Sequence, residues 1–110
     1  MPTLRDYRVA PAPILHVTKT GADISSATSV VTAISNKSIV VTDIIVSTGT
    51  AADLSVCDDD TPFVTFYLGA DGNAQANLSS PIKITAGNDL KVDSSTTNTD
   101  SFFLINYYIE

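Results

Sequence analysis

The stretch Ser38-Ile39-Val40-Val41-Thr42-Asp43-Ile44-Ile45-Val46-Ser47-Thr48 decides how the rest of the chain is read. Val and Ile fill six of its eleven positions, it contains no Gly or Pro, and it stops at Gly49-Thr50, so it reads as a central β-strand. Strict alternation puts Val40, Thr42, Ile44 and Val46 on one face and Ile39, Val41, Asp43 and Ile45 on the other. Both faces are then largely apolar. One can be covered by a second sheet of the same domain, and the other needs a different cover.

Working outward, the flanking runs are strand-like as well. Before the central strand, 14–18 is a first strand, a turn follows at Thr20-Gly21, and 29–35 is a second strand that enters 38–48 through a tight hairpin turn at Asn36-Lys37. After it come 54–57 and then 63–68, a second strand apolar on both faces, followed by a hairpin loop at 69–73 in which Asp71-Gly72 accepts positive φ. The run 74–78 is a weak strand ending in Ser79-Ser80-Pro81. In 82–85 and 90–93, joined by a turn at 86–89, Ile82, Ile84, Leu90 and Val92 alternate with polar residues and leave one wet face. The polar loop 94–100 leads to the last strand, 102–109, again apolar on both faces. Eight or nine strands with no helix signal predict an all-β, antiparallel sandwich of jelly-roll type, one domain over 14–110 preceded by an extended arm over 1–13 that holds Pro2, Pro11 and Pro13.

Composition narrows the function classes. Charged residues make up only 16% of the 110 residues, and solubility leans on Ser, Thr and Asn. The formal charge is −6, and every acid but Glu110 is Asp, which argues against direct binding of nucleic acid. Arg5 and Arg8 against Asp6 give the arm +1, which leaves −7 on the remainder. Met-Pro-Thr-Leu-Arg-Asp-Tyr-Arg lacks the apolar core of a signal peptide, and no run is long enough to span a bilayer, so synthesis in a cytoplasm without membrane association is the expectation.

Residues that carry chemistry are few. His16 is the single histidine and Cys57 the single cysteine, so no intrachain disulfide forms; neither sits in a motif that supplies a partner, and no enzyme activity is expected. His16 reads as a strand or interface residue and Cys57 as a small buried hydrophobe. Asp58-Asp59-Asp60 has the oxygen chemistry of a calcium site but not the spacing of an EF-hand loop, so a solvated loop tip is expected, with no metal or cofactor. Tyr67, Tyr107 and Tyr108 fall inside strand patterns that account for them by packing.

Three strands apolar on both faces would leave a large apolar patch on a monomer, which predicts a homo-oligomer whose interface holds Phe66, Phe102, Phe103, Tyr107 and Tyr108. The competing expectation is that bulges shift the register within a strand, so that each half buries a different face in one core. Leu4, Arg5, Tyr7 and Arg8 give the arm apolar and charged anchors for docking on a neighbour.

The runs Thr42-Asp43-Ile44-Ile45-Val46-Ser47-Thr48-Gly49-Thr50 and Ser80-Pro81-Ile82-Lys83-Ile84-Thr85-Ala86-Gly87-Asn88-Asp89-Leu90-Lys91-Val92 resemble those of small β-sandwich structural proteins of tailed bacteriophages. That resemblance implies a head decoration or cement protein, trimeric in such families, that sits on the capsid surface of the virion and ties capsomers together. Its partners would be further copies of itself and the major capsid protein, and the arm would be the capsid clamp. The alternative class is a carbohydrate- or receptor-binding sandwich of a tail fibre or secreted protein, with its site in the loops 58–62 and 94–100.

Overall fold

The computed structural model describes residues 14–21, 27–96 and 100–110. Among them lie eight strands: β1 (Leu15–Thr20), β2 (Thr28–Val31), β3 (Ile39–Thr48), β4 (Ala52–Asp58), β5 (Thr61–Leu68), β6 (Gly72–Lys83), β7 (Leu90–Ser94) and β8 (Ser101–Ile109). They form two antiparallel sheets, sheet A in the order β1-β8-β3-β6 and sheet B in the order β2-β7-β4-β5. The pairs β1:β8, β2:β7, β3:β6 and β4:β5 are nested, as in one long hairpin rolled up into two layers, which is the jelly-roll arrangement. The expected arm, 1–13, lies outside the described residues.

The nesting corrects two turn assignments. Asn36-Lys37 and the loop 69–73 do not close hairpins; each carries the chain from one sheet to the other, as does the turn expected at 86–89. The residues that suggested hairpins do take positive φ, at 63° for Asn36 and 57° for Asp71, and Gly87 does so at 89°. Left-handed turn residues serve a sandwich corner as well as a hairpin, and sequence alone does not distinguish them. Among the described residues the one hairpin within a sheet joins β4 to β5 through Asp59, at φ 55°, and Asp60, with Asp58 paired to Thr61. Two element bounds differ as well. The second strand ends at Val31, and the runs 74–78 and 82–85 belong largely to the single strand β6, which accommodates Pro81 because it is an edge strand.

The strict alternation expected for the central strand is also corrected. In β3 the register shifts between Val41 and Asp43 against both neighbours: Val41 opposes Tyr107 and Ile82, whereas Asp43 opposes Asn106 and Asn77. Against β8, Thr42 is the extra residue of a β-bulge, whereas against β6 the longer side of the irregularity is 78–81 of the partner strand. Ile39 and Val41 before it, and Ile44 and Val46 after it, therefore all enter the same core, with Leu54, Val56, Leu90, Val92, Phe103 and Ile105. Much of what read as a second apolar face is one apolar face interrupted by a bulge.

The two ends of the sandwich are tied by polar contacts. At one end Gly21 N–H donates to Ser101 O at 2.7 Å, Gly49 N–H to Asp100 O at 3.3 Å, and Asp71 N–H to Gly49 O at 3.0 Å. At the other end Asp58 accepts from Thr85 N–H at 3.0 Å, Thr85 Oγ1 at 2.8 Å and Asn88 Nδ2 at 2.9 Å, and Asp89 accepts from Ala33 N–H at 2.7 Å.

Candidate functional site

Because Phe103, Ile105, Ile44 and Val46 point into the core, the residues between them point outward and define the outer face of sheet A. The registers arrange that face in rows running β1, β8, β3, β6: Thr20, Phe102, Ser47, Asn73; then Thr18, Leu104, Ile45, Gln75; then His16, Asn106, Asp43, Asn77. A last row holds Tyr108, Val40 and Lys83. Ile45 is 39% exposed, and Phe102, Leu104 and Tyr108 are half-buried. Val40 is buried although it lies outside the core cluster, and it is flanked by Tyr108 and by Lys83, whose ammonium meets Glu110 at 2.7 Å. The hydrogen bond and charge of Glu110 hold that ammonium above its ordinary range.

The third row is polar. Thr42 Oγ1 lies within bonding distance of Asp43 Oδ2 (3.0 Å) and Asn106 O (3.2 Å), and Asn106 Nδ2 donates to Asp43 Oδ2 at 3.4 Å. Asp43 and Lys83 are the fixed charges of these four rows, and Lys83 is matched by Glu110, in a chain of net charge −6. The outer face of sheet A is thus an apolar strip with a polar row across it and few charges.

The expected interface set divides between the two sides of the sheets. Phe102 and Tyr108 belong to this outer face. Phe103 is wholly buried in the core, and Tyr107 and Phe66 pack against that core, so none of these three projects from an outer face. Ile45 and Leu104, central to the strip, were not singled out from sequence. Leu104 was legible from simple alternation in β8, but Ile45 becomes recognisable only once the bulge at Thr42 is known. Leu4, Arg5, Tyr7 and Arg8 lie outside the described residues.

The remaining candidates have ordinary partners. His16 is exposed on the outer face beside Asn106. Cys57 is 1% exposed; burial, with the charges of Asp93 and Asp60, pushes its thiol up to about 11. Burial alone would raise the Asp58 carboxyl, but the hydrogen bonds from Asn88 and Thr85 outweigh it and hold the group below its ordinary value. Asp59 and Asp60 each meet Lys91 Nζ at 3.1 Å. Among the described residues no group of three or more His, Cys, Asp or Glu side chains is placed to hold a metal ion. The packing expected for Tyr67 is corrected: it stands 78% exposed on the outer side of β5.

No family model matches the chain, and no curated protein shows detectable similarity to it.

Proposed function

We propose that this chain is a non-enzymatic structural protein that works by self-association through the outer face of sheet A. The observation that carries the reading is the uncharged strip of Ile45, Leu104 and Phe102 on a strongly acidic chain. Two acidic copies repel one another over most of their surface, and a face with few charges and an apolar strip is where they approach at least cost. The finer reading is a decoration or cement protein, trimeric on the outside of a bacteriophage head and in contact with the major capsid protein. It rests on the resemblance of residues 42–50 and 80–92 and on the suitability of a compact jelly roll with one associating face for that task.

Light scattering coupled to size exclusion tests the first part. The intact chain should elute at a multiple of 11.6 kDa, and Leu104→Asp should elute as a monomer with an unchanged circular dichroism spectrum. A monodisperse wild-type monomer at micromolar concentration would overturn self-association. Mass spectrometry of purified virions tests the second part, and absence of the chain from them would refute a decoration role.

A further inference from the structure

The flank of the sandwich between β5 and β6 differs from the sheet A face. Both are edge strands, so among the described residues each presents backbone N–H and C=O groups with no strand beyond it. Phe66 and Leu68 of β5 pack against the core without being fully covered. On the outer side of β5, Tyr67 is directly opposite Asp53 of β4, whose carboxylate makes no hydrogen bond or ion pair among the described residues. In the next row Ser55 and Thr65 satisfy each other at 2.9 Å, beside Asp93. Lys91 is already held by Asp59 and Asp60. An exposed phenol ring beside an uncompensated carboxylate suits a guanidinium, which can stack on the ring while its N–H groups meet the acid.

We propose that the free edge of β5 takes an extended, arginine-bearing strand, and that this strand is residues 5–9 of a second copy of the chain. Charge supports that occupant, since residues 1–13 carry +1 and the remainder −7. Side-chain pattern supports it too. In an added strand, Arg5, Tyr7 and Val9 fall on one side, with Tyr7 and Val9 over Phe66 and Leu68, and Asp6 and Arg8 on the other, with Arg8 at Tyr67 and Asp53. Reach assigns the strand to a neighbour. The arm enters β1, at the opposite edge of sheet A from β6. Six peptide steps from Val9 to Leu15 span at most about 21 Å. The route across three strand spacings and around to the other sheet is about 24 Å.

The test uses the full chain with a photo-crosslinker, Tyr67→p-benzoylphenylalanine, at a position whose exposure spares the fold. Equal amounts of ¹⁴N- and ¹⁵N-labelled protein are mixed and irradiated. Position 67 should become joined to a peptide within residues 1–13, with linked pairs of mixed label. Arg8→Glu should lower the yield about fivefold, as for a partly exposed ion pair, and Asp53→Lys in the same chain should restore it. Links within one copy only, links to another segment, or no link would each overturn the proposal. The outcome is separable from the sheet A association, which is read from Leu104→Asp and does not involve β5.

Discussion

Two single-residue deletions three positions apart in β3 should have opposite consequences. Removing Thr42 takes out the bulge residue, so Ile39, Val41, Ile44 and Val46 fall into regular alternation and all stay in the core. The loss is the one hydrogen bond that the Thr42 hydroxyl can donate, to Asp43 or to Asn106 O, so ΔThr42 should cost no more than about 2 kcal/mol. Removing Ile45 instead breaks the alternation after Ile44. Val46, fully buried, turns outward at a cost of roughly 1.5–3 kcal/mol, and Ser47 turns inward without a partner at roughly 1–3 kcal/mol more. A total of about 3–6 kcal/mol is a large part of the roughly 5–15 kcal/mol that holds a domain of this size together. Urea unfolding followed by circular dichroism, at one chain concentration because association shifts the midpoint, measures both. ΔThr42 should unfold within about 1–2 M of the wild type, and ΔIle45 far below it or not fold at all. Equal costs within about 1 kcal/mol, or a worse ΔThr42, would refute the assignment of the bulge.

Two further perturbations follow from turn geometry and from the carboxylates at the sandwich end. A Cβ added at Gly87 or at Gly69 meets nothing within 4 Å, but Gly87 alone of the two has positive φ, at 89°. Gly87→Ala should therefore lower stability by about 1–2 kcal/mol through backbone strain, and Gly69→Ala should be neutral or stabilising by up to about 1 kcal/mol, as read from melting temperatures. Asp58 ionises more readily folded than unfolded, so its contribution is complete above the usual aspartate value of about 4 and disappears as pH falls through the lowered folded value. Melting curves between pH 6 and pH 2.5, taken as roughly the span of that titration, should show a shallower acid loss for Asp58→Asn than for wild type; equal slopes would assign acid sensitivity elsewhere.

Strand identity was legible because β-branched and aromatic runs report a pleated, half-buried surface directly. The class of fold followed from those runs, and the nesting of β1 with β8 and β3 with β6 matches the jelly roll that strand count and spacing predicted. Which strands are joined by hairpins was not legible, since Asn36, Asp71 and Gly87 adopt the same left-handed conformations at corners as they would in hairpins. Nor was the bulge, because Thr42 differs in no local property from an ordinary strand threonine; its effect exists only relative to Tyr107 and Asn106 on β8. Of the candidate association face, Phe102 and Tyr108 were recoverable by counting twos, whereas Phe103 and Tyr107 were drawn in by their size alone. Tyr67 was misplaced for the converse reason, since an aromatic in a strand pattern looks packed whichever way it faces.

The nested order of the strands also sets when the molecule can exist. Among the paired strands only β4 and β5 are also joined by a short local turn; the outermost pair brings Leu15 to Tyr107, across most of the sequence. Each wider pair must close a longer loop before its contacts contribute, which places the chain among slow-folding topologies. β8 lies between β1 and β3, so sheet A is two separate pieces until this strand, the last of the eight in chain order, is added. On a ribosome β8 emerges after the other seven, so the outer face of sheet A cannot be complete before it has been made.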